Sequence, residues 1–209
     1  MNIKVCGITT LKQLQQLDGL EVEFAGLNFY RHSKRFAGDT ISKEELANAD
    51  LDIRKVGVFV NAGFDDIMET VEEYGLDVVQ LDGDETPHLC GLISSEVETI
   101  KTFRIDHKSD TLIDYILKEY DEVCDYYLFD TGSNGEAHRD LTHNNWKQIA
   151  ESKIEKPFFL SGQIGPDDVK LVKKFKHPDY YGVDINTLFE KSPGIKDMAL
   201  ILGFVKALR

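Results

Sequence analysis

Short runs of apolar and β-branched residues recur along the whole chain, with more polar segments between them. Eight of these runs have the length and composition of buried β-strands. They are Ile3–Cys6, Val22–Phe29, Lys55–Val60, Asp77–Leu81, Thr99–Ile105, Tyr126–Phe129, Pro157–Leu160 and Tyr180–Ile185. Eight runs in 209 residues leave about 26 residues for each strand and its connection to the next one.

Several segments between the strands show the spacing of amphipathic helices, with apolar residues at i, i+3, i+4 and i+7. The clearest are residues 64–71, 112–117 and 198–208. Ser42 followed by Glu45 is a capping-box pattern, and Pro166 followed by two aspartates suits a first helical turn. The segment 86–92 is the weakest helix prediction, because it is short and its apolar spacing is poor.

Strands that alternate with helices predict parallel βαβ units, in which the helices cover the sheet. Eight such units predict a (β/α)8 TIM barrel, near the lower limit of about 200 residues for that fold. An open, doubly wound α/β sheet is the alternative. No segment rich in Pro, Ser and Gly divides the chain, so we expect a single domain over residues 1–209.

Charge and cysteine content narrow the possible partners and the compartment. The chain has 24 basic and 37 acidic side chains and a net charge of −13, which disfavours nucleic acid as a partner. No apolar run reaches the ~18 residues of a membrane span, and the first residues lack the pattern of a signal peptide. Three widely spaced cysteines favour neither a disulfide framework nor a zinc site. We therefore expect a cytoplasmic protein without a membrane or nucleic-acid partner.

In a barrel of this kind, functional residues lie at the carboxyl ends of the strands. Lys4 and Cys6 share one face of the first strand, and a nearby ammonium lowers the pKa of a thiol and favours the thiolate. Cys6 is therefore a candidate nucleophile or general base, or alternatively a small buried hydrophobe. Asp130 ends the sixth strand beside an apolar run that can raise its pKa, so it is a candidate general acid or, alternatively, an Asx turn.

Three loops are candidates for binding an anion. A glycine-containing loop at 161–166 follows the seventh strand, and a short helix after the eighth would complete the usual phosphate site of these barrels. The alternative is a helix-capping loop without a ligand. The segment 30–35 is the most basic of the chain and suits a carboxylate or phosphate clamp, or a solvated loop. Neither a Walker-A loop nor a GxGxxG fingerprint is present, and the six histidines lack ligand spacing, so we expect no nucleotide cofactor and no metal.

The opening segment, Lys4-Val5-Cys6-Gly7-Ile8-Thr9, resembles the first motif of the phosphoribosylanthranilate isomerase family. Further segments that resemble this family follow in the family's order over nearly the whole chain. They are residues 26–29, 33–35, 56–61, 79–83, 128–130, 160–162, 182–184 and 192–197.

This resemblance implies a (β/α)8 barrel that catalyses an Amadori rearrangement in tryptophan biosynthesis, without a metal or organic cofactor. It implies that Asp130 is the general acid, that Cys6 is the general base and that Arg35 holds the carboxylate of the anthranilate. Other residues that we expect to bind the phosphorylated substrate are Gly162, Gln163, Asp184, Asn186 and Thr187. A monomer and a homodimer are both compatible with the sequence.

The chain departs from the pattern of the family at several positions. Lys34 replaces a usual proline, Asp82 replaces a usual histidine, and Gln163 replaces a usual glycine. The loop after Asp130 also differs, at residues 132–137. Two alternatives therefore remain: a catalytically weak barrel that binds a phosphorylated metabolite, and a different barrel enzyme that acts on a sugar phosphate.

Overall fold

A computed structural model of the protein describes residues 1–105, 117–132 and 146–209, and it contains a closed barrel of eight parallel strands in chain order. The strands are β1 (Asn2–Cys6), β2 (Phe24–Asn28), β3 (Arg54–Phe59), β4 (Val78–Leu81), β5 (Glu98–Arg104), β6 (Tyr126–Asp130), β7 (Phe158–Ser161) and β8 (Tyr180–Ile185). Pairing of β8 with β1 closes the sheet. The prediction of a barrel is thus confirmed, and the open sheet is wrong.

Helices surround the barrel. They are α1 (Leu11–Asp18), α2 (Lys43–Ala47), α3 (Phe64–Tyr74), α4 (Pro87–Ser94), α5 (Val169–Lys174) and α6 (Met198–Leu208). The weakly predicted fourth helix does form, because Thr86 caps its first turn by accepting a hydrogen bond from the Leu89 amide. Residues 146–151 are also helical. Most of the predicted helix at 112–117, and most of the loop at 132–137, lie outside the described residues.

The Ser42 cap forms only in part as predicted. Its hydroxyl oxygen accepts a hydrogen bond from the Glu45 amide, and the hydroxyl group donates to the carboxylate of Glu44. Pro166 occupies the first turn of a short 3-10 helix, Pro166–Asp168, as expected from its fixed φ angle. None of the helices in the described part of the chain is long and apolar enough to cross a membrane.

Apolar side chains fill the half of the barrel interior that lies nearer the amino ends of the strands. Phe24 lies at the centre, and its ring makes edge-to-face contacts with Phe159, Tyr181 and Tyr126 at centroid distances of 5.4, 6.2 and 6.4 Å. A separate and larger apolar layer lies between the strands and the helices. Because this inner aromatic cluster plugs the barrel, polar side chains are confined to the interior positions nearer the carboxyl ends of the strands.

A small hairpin follows the barrel and was not predicted. After a 3-10 helix, Thr187–Phe189, the antiparallel strands β9 (Glu190–Ser192) and β10 (Ile195–Lys196) lead into α6. The Thr9 hydroxyl and the side-chain Nε2 of Gln13 donate to the Gly194 carbonyl over 2.6 and 3.1 Å. These bonds fix the hairpin against the segment that follows β1.

Candidate active site

A cavity of about 320 Å³ opens at the carboxyl ends of the strands. Cys6 reaches it from β1, and Asp130 reaches it from β6, on another side of the barrel. The predicted site residues that line this cavity are Cys6, Asp130, Gly162, Gln163, Asp184, Asn186 and Thr187. The structure therefore brings together the predicted acid, the predicted base and the predicted phosphate loops.

A buried ion pair lies beneath Cys6. The Lys4 ammonium is 2.8 Å from Oδ1 of Asp184, and the Ser161 hydroxyl donates to Oδ2 of the same carboxylate over 3.0 Å. Burial is the largest single effect and lowers the pKa of Lys4, but the charge and hydrogen bond of Asp184, together with the nearby Cys6 and Asp82, hold that pKa above its usual value. Asp184 thus forms part of the cavity wall, with its charge balanced by Lys4.

Cys6 is a buried thiol. Burial raises the pKa of Cys6, and the neighbouring Lys4 and Lys196 ammonium groups, which lower it, do not cancel that effect. Lys4 thus acts on the thiol in the predicted direction, but burial and the Asp184 and Asp82 carboxylates raise the pKa of Cys6 by more, so that this pKa lies above its usual value. The thiol must lose its proton before it can act as a base.

Asp130, the predicted general acid, has the opposite requirement, since a general acid must carry a proton. Burial is the largest effect and raises the pKa of Asp130, and the nearby Asp82 and Asp184 carboxylates raise it further. The Gly132 amide, which donates to Oδ1 over 2.9 Å, acts in the other direction. The predicted rise in pKa is thus confirmed. Oδ2 accepts no hydrogen bond from the part of the chain that the structure describes.

The walls on either side of Asp130 are in close contact. Gly162 has a φ of +94°, and a Cβ atom at this position would lie 2.3 Å from the Gly132 nitrogen and 2.8 Å from Oδ1 of Asp130. The Thr131 hydroxyl donates to the Ser161 carbonyl over 3.0 Å, and the indole of Trp146 donates to the Thr131 hydroxyl over 3.3 Å. These contacts fix the position of the Asp130 carboxyl relative to the loop after β7.

Free backbone amides lie at the predicted phosphate loops. The amides of Gly162, Gln163 and Thr187 donate to no atom of the described residues. By contrast, the Gly165 amide is already bound by the Asp168 carboxylate over 2.8 Å. Amides without a protein acceptor at the rim of a cavity can bind an anion. The amides available to an anion are therefore at the tips of the two loops, whereas the Gly165 amide at the start of the 3-10 helix Pro166–Asp168 is occupied.

Arg35 is placed at the rim and does not line the cavity. Its Nε and Nη2 atoms donate to the two carboxylate oxygens of Glu190 over 2.9 and 2.6 Å. Nη1 makes no hydrogen bond to the described residues. Because a guanidinium carries five donors in a planar fork, the remaining edge can still bind a second carboxylate.

Sequence reasoning missed several polar residues around the cavity. Gln80 lines it and donates to Oδ1 of Asp82 over 3.2 Å and to the Thr102 hydroxyl over 3.1 Å. Asp82 is also paired with Arg104 at 3.2 Å. A polar residue at an inward position of an otherwise apolar strand was the available signal for Gln80.

The acidic residues at positions 82–85 differ in their roles. Asp82 lines the cavity, whereas Glu85 is buried and bonds to the Lys101 ammonium over 3.1 Å and to the amides of Asn61 and Gly83. Lys101 also donates to the carbonyls of residues 81, 83 and 102. This network pins the loop after β4, and its signal in the sequence was a lysine inside a buried strand.

The fold and the site together define a class of protein. A closed (β/α)8 barrel with a thiol, a protonatable carboxyl and free amides around one mouth has the site architecture of an acid–base enzyme of the TIM-barrel type. The described residues contain no group of three or more His, Cys, Asp or Glu side chains that could hold a metal ion.

Comparison with known proteins identifies the family. The family model for N-(5'-phosphoribosyl)anthranilate (PRA) isomerase matches residues 3–207. The isomerase of Parabacteroides distasonis is 35% identical over 210 residues, which cover 100% of this chain and 93% of that protein. The isomerase of Phocaeicola vulgatus is 33% identical, with coverage of 100% and 98%. The chain belongs to the N-(5'-phosphoribosyl)anthranilate isomerase family and is an isomerase of tryptophan biosynthesis.

Solved structures agree with this assignment. The phosphoribosyl anthranilate isomerase of Thermotoga maritima has a TM-score of 0.84 and 27% identity, and the alignment covers 100% of this chain and 98% of that one. A phosphoribosyl anthranilate isomerase in complex with reduced 1-(o-carboxyphenylamino)-1-deoxyribulose 5-phosphate has a TM-score of 0.81, with the same identity and coverage.

Proposed function

We propose that Asp130 and Cys6 carry out the conversion of N-(5'-phosphoribosyl)anthranilate to 1-(2-carboxyphenylamino)-1-deoxyribulose 5-phosphate. The observation that carries this assignment is that both side chains line one cavity, beside backbone amides that have no acceptor among the described residues. A single cavity allows both groups to reach one bound sugar without any rearrangement of the barrel.

The acid acts first in the proposed mechanism. Asp130 donates its proton to the furanose ring oxygen, the bond between C1' and that oxygen breaks, and the lone pair of the anthranilate nitrogen forms a protonated Schiff base at C1'. The raised pKa of Asp130 favours this step, because it keeps more of the carboxyl protonated near neutral pH.

The base acts second. The Cys6 thiolate removes the proton from C2', and the electron pair of the C–H bond moves to form the enolamine and neutralise the nitrogen. The enolamine then tautomerises to the ketone, when C1' gains a proton and the C2' hydroxyl loses one. The Lys4 and Lys196 ammonium groups support this step, because both lower the pKa of the thiol against the effect of burial.

These pKa directions define an uncommon protonation state. The reactive form has a protonated carboxyl and an ionised thiol, whereas the raised pKa of Cys6 keeps the thiol protonated in the free protein. With the pKa of Cys6 above that of Asp130, the reactive form is a minority at every pH. When the pKa values lie in this order, the acid limb of the pH–rate profile reports the ionisation of Asp130, and the alkaline limb reports the ionisation of Cys6.

The two anionic ends of the substrate have separate binding groups. We assign the phosphate to the amides of Gly162, Gln163 and Thr187, beside Asn186, and the anthranilate carboxylate to the free Nη1 edge of Arg35. Asp184 belongs to the cavity wall between these two binding groups, where the Lys4 ammonium and the Ser161 hydroxyl hold its carboxylate in place. With a net charge of −13, the chain offers no long-range attraction to this substrate, so local donors must hold it.

The departure from the family at Asp82 is compatible with this function. Its carboxylate is paired with Arg104 and accepts a hydrogen bond from Gln80, so part of its negative charge is offset before the substrate binds. We propose that this one barrel carries the whole activity in the cytoplasm, where a reducing environment suits its three free, buried cysteines.

The assembly is a monomer or a homodimer, and a Thermotoga maritima relative has been crystallised as monomers generated from a dimeric enzyme. Light scattering coupled to size-exclusion chromatography distinguishes the two states.

The experiment that tests the assignment follows the loss of substrate fluorescence in Cys6→Ala and Asp130→Asn. General acid–base groups contribute ~10²- to 10⁴-fold, so we expect each variant to lose at least about 10²-fold in kcat. Cys124→Ala, at another buried free thiol remote from the cavity, is the matched control and should keep its activity. Wild-type rates in both site variants would refute these roles. Failure of the wild-type gene to rescue a tryptophan auxotroph that lacks the isomerase would favour the catalytically weak, metabolite-binding barrel instead.

A further inference from the structure

Lys196 belongs to the segment Ser192–Asp197, which the proposed mechanism does not yet use for binding. Its side chain is fully buried on β10. The ammonium donates to Oδ1 of Asn186 over 2.7 Å, to Oε1 of Glu190 over 2.9 Å and to the backbone carbonyl of Asn186 over 3.4 Å. All three donors of one lysine are therefore used, and two of them hold the same asparagine.

These partners lead to both ends of the substrate site. Asn186 lines the cavity beside the proposed phosphate seat. Glu190 binds the guanidinium of Arg35 with both carboxylate oxygens and also accepts from the Gly194 amide over 3.1 Å. One continuous chain of hydrogen bonds thus runs from Asn186 through Lys196 and Glu190 to Arg35.

The same groups surround the residue that follows the proposed base. A Cβ atom on Gly7 would lie 2.6 Å from Cδ of Arg35, 2.9 Å from Oδ1 of Asn186 and 3.3 Å from the Lys196 nitrogen. Gly7 also has a φ of +81°, so this position suits only glycine. The network therefore packs directly onto the backbone next to Cys6.

The hairpin does not need the ammonium to stay in place. Its Gly194 carbonyl is bound by Thr9 and Gln13, and the backbone amide of Lys196 donates to Oε1 of Gln13 over 2.9 Å. Removal of the ammonium would leave these anchors intact. It would remove both hydrogen bonds to Asn186, and Glu190 would keep its hydrogen bonds with Arg35 and with the Gly194 amide.

We propose that Lys196 is a positioning residue that holds Asn186 and Arg35, and with them the phosphate-binding and carboxylate-binding ends of the site, at a fixed separation. The proposal rests on the substrate roles assigned above to these two ends. Lys196 touches neither reacting carbon in this scheme. It acts through Asn186 and Glu190, and its charge also stabilises the ionised form of the nearby Cys6.

The test compares steady-state kinetics of Lys196→Met with those of Lys191→Met, a matched control at an exposed lysine of the same hairpin. Hydrogen bonds to charged groups are strong enough that we expect KM to rise about 10- to 100-fold in Lys196→Met, with a smaller change in kcat. Because Lys196 lowers the pKa of Cys6, the limb of the pH profile that reports Cys6 should move to higher pH. Lys191→Met should match the wild type in both respects.

Lys196→Arg separates geometry from charge and also covers the case in which Lys196→Met does not fold. A planar guanidinium keeps the positive charge but cannot point three donors as an ammonium does. We expect an intermediate rise in KM with the Cys6 limb unmoved. The double variant Lys196→Met/Glu190→Gln should show a KM no higher than that of the worse single variant, because both residues act through one network.

Three outcomes overturn the proposal. The first is a KM within twofold of wild type in Lys196→Met, or in Lys196→Arg if the first does not fold. The second is a lowered melting temperature without a change in KM, which would mean a merely structural role. The third is full additivity in the double variant. If the wild type and Lys191→Met are themselves inactive, the proposed function fails as well, so the two failures are distinguishable.

Discussion

Gly162→Ala would place a single methyl group at the contact between the loop after β7 and the loop that carries Asp130. The new Cβ would lie 2.3 Å from the Gly132 nitrogen, whereas ordinary contacts begin near 3.4 Å, so the two loops must separate by about 1.1 Å. Asp130 lies on the opposing loop, with its Oδ1 2.8 Å from the same Cβ position, and must move with it. A misplacement of about 1 Å can cost ~10²-fold in rate, so we expect kcat to fall by about that factor.

Stability should fall as well, because a φ of +94° is strained for any residue with a side chain. A left-handed backbone costs about 1–2 kcal/mol in a non-glycine residue, which lowers the melting temperature of a chain of this length by roughly 2–8 °C. The assay is loss of substrate fluorescence, together with a thermal melt. Gly203→Ala is the control, since its Cβ would meet no atom within 4 Å and alanine favours the helix by about 1 kcal/mol. A Gly162→Ala variant within threefold of the wild-type kcat would refute this account of the loop contact.

Three further predictions concern the rim and its supports. Gln163 has a φ of +55°, so Gln163→Gly should raise the melting temperature by about 2–4 °C. The smaller residue should also widen the proposed phosphate site and lower KM. A higher KM would contradict the assignment of the phosphate to this site. Asp82 raises the pKa of Asp130, so Asp82→Asn should lower that pKa and move the limb of the pH profile that reports Asp130 to lower pH; an unmoved limb would contradict the coupling. Lys101→Met should leave the buried Glu85 carboxylate without its ammonium partner, which lowers the free energy of unfolding by about 3–5 kcal/mol and the melting temperature by roughly 6–20 °C. Lys147→Met, at an exposed ion pair, should change the melting temperature little.

Strand positions could be predicted from the sequence because buried parallel strands are nearly continuous apolar runs. Each of the eight runs became a barrel strand within a few residues of its predicted bounds. Once the strands are known, their carboxyl ends are known too, and Cys6, Asp130 and Gly162 were candidates in part because they lie at those ends. Closure of the barrel then brought these ends to one cavity.

Contacts between side chains that are far apart in the sequence could not be predicted in this way. The Lys4–Asp184 pair spans 180 residues, and the Arg35–Glu190 pair spans 155. The first lies beneath the Cys6 thiol, where burial and nearby carboxylates raise the pKa of Cys6 by more than the Lys4 and Lys196 ammonium groups lower it. The second placed Arg35 at the rim, with only part of its guanidinium free.

Local pattern thus predicted the number of units and the order of the strands along the chain, and it made Cys6 and Asp130 candidate site residues, since apolar spacing and strand ends are properties of neighbouring residues. Their roles as base and acid were implied by the resemblance to the family. Tertiary structure alone decided the net rise in the pKa of Cys6, the partners of Lys196 and the closeness of Gly162 to Gly132. The physical reason is that burial, charge pairing and steric contact act through space, and only closure of the barrel sets those distances.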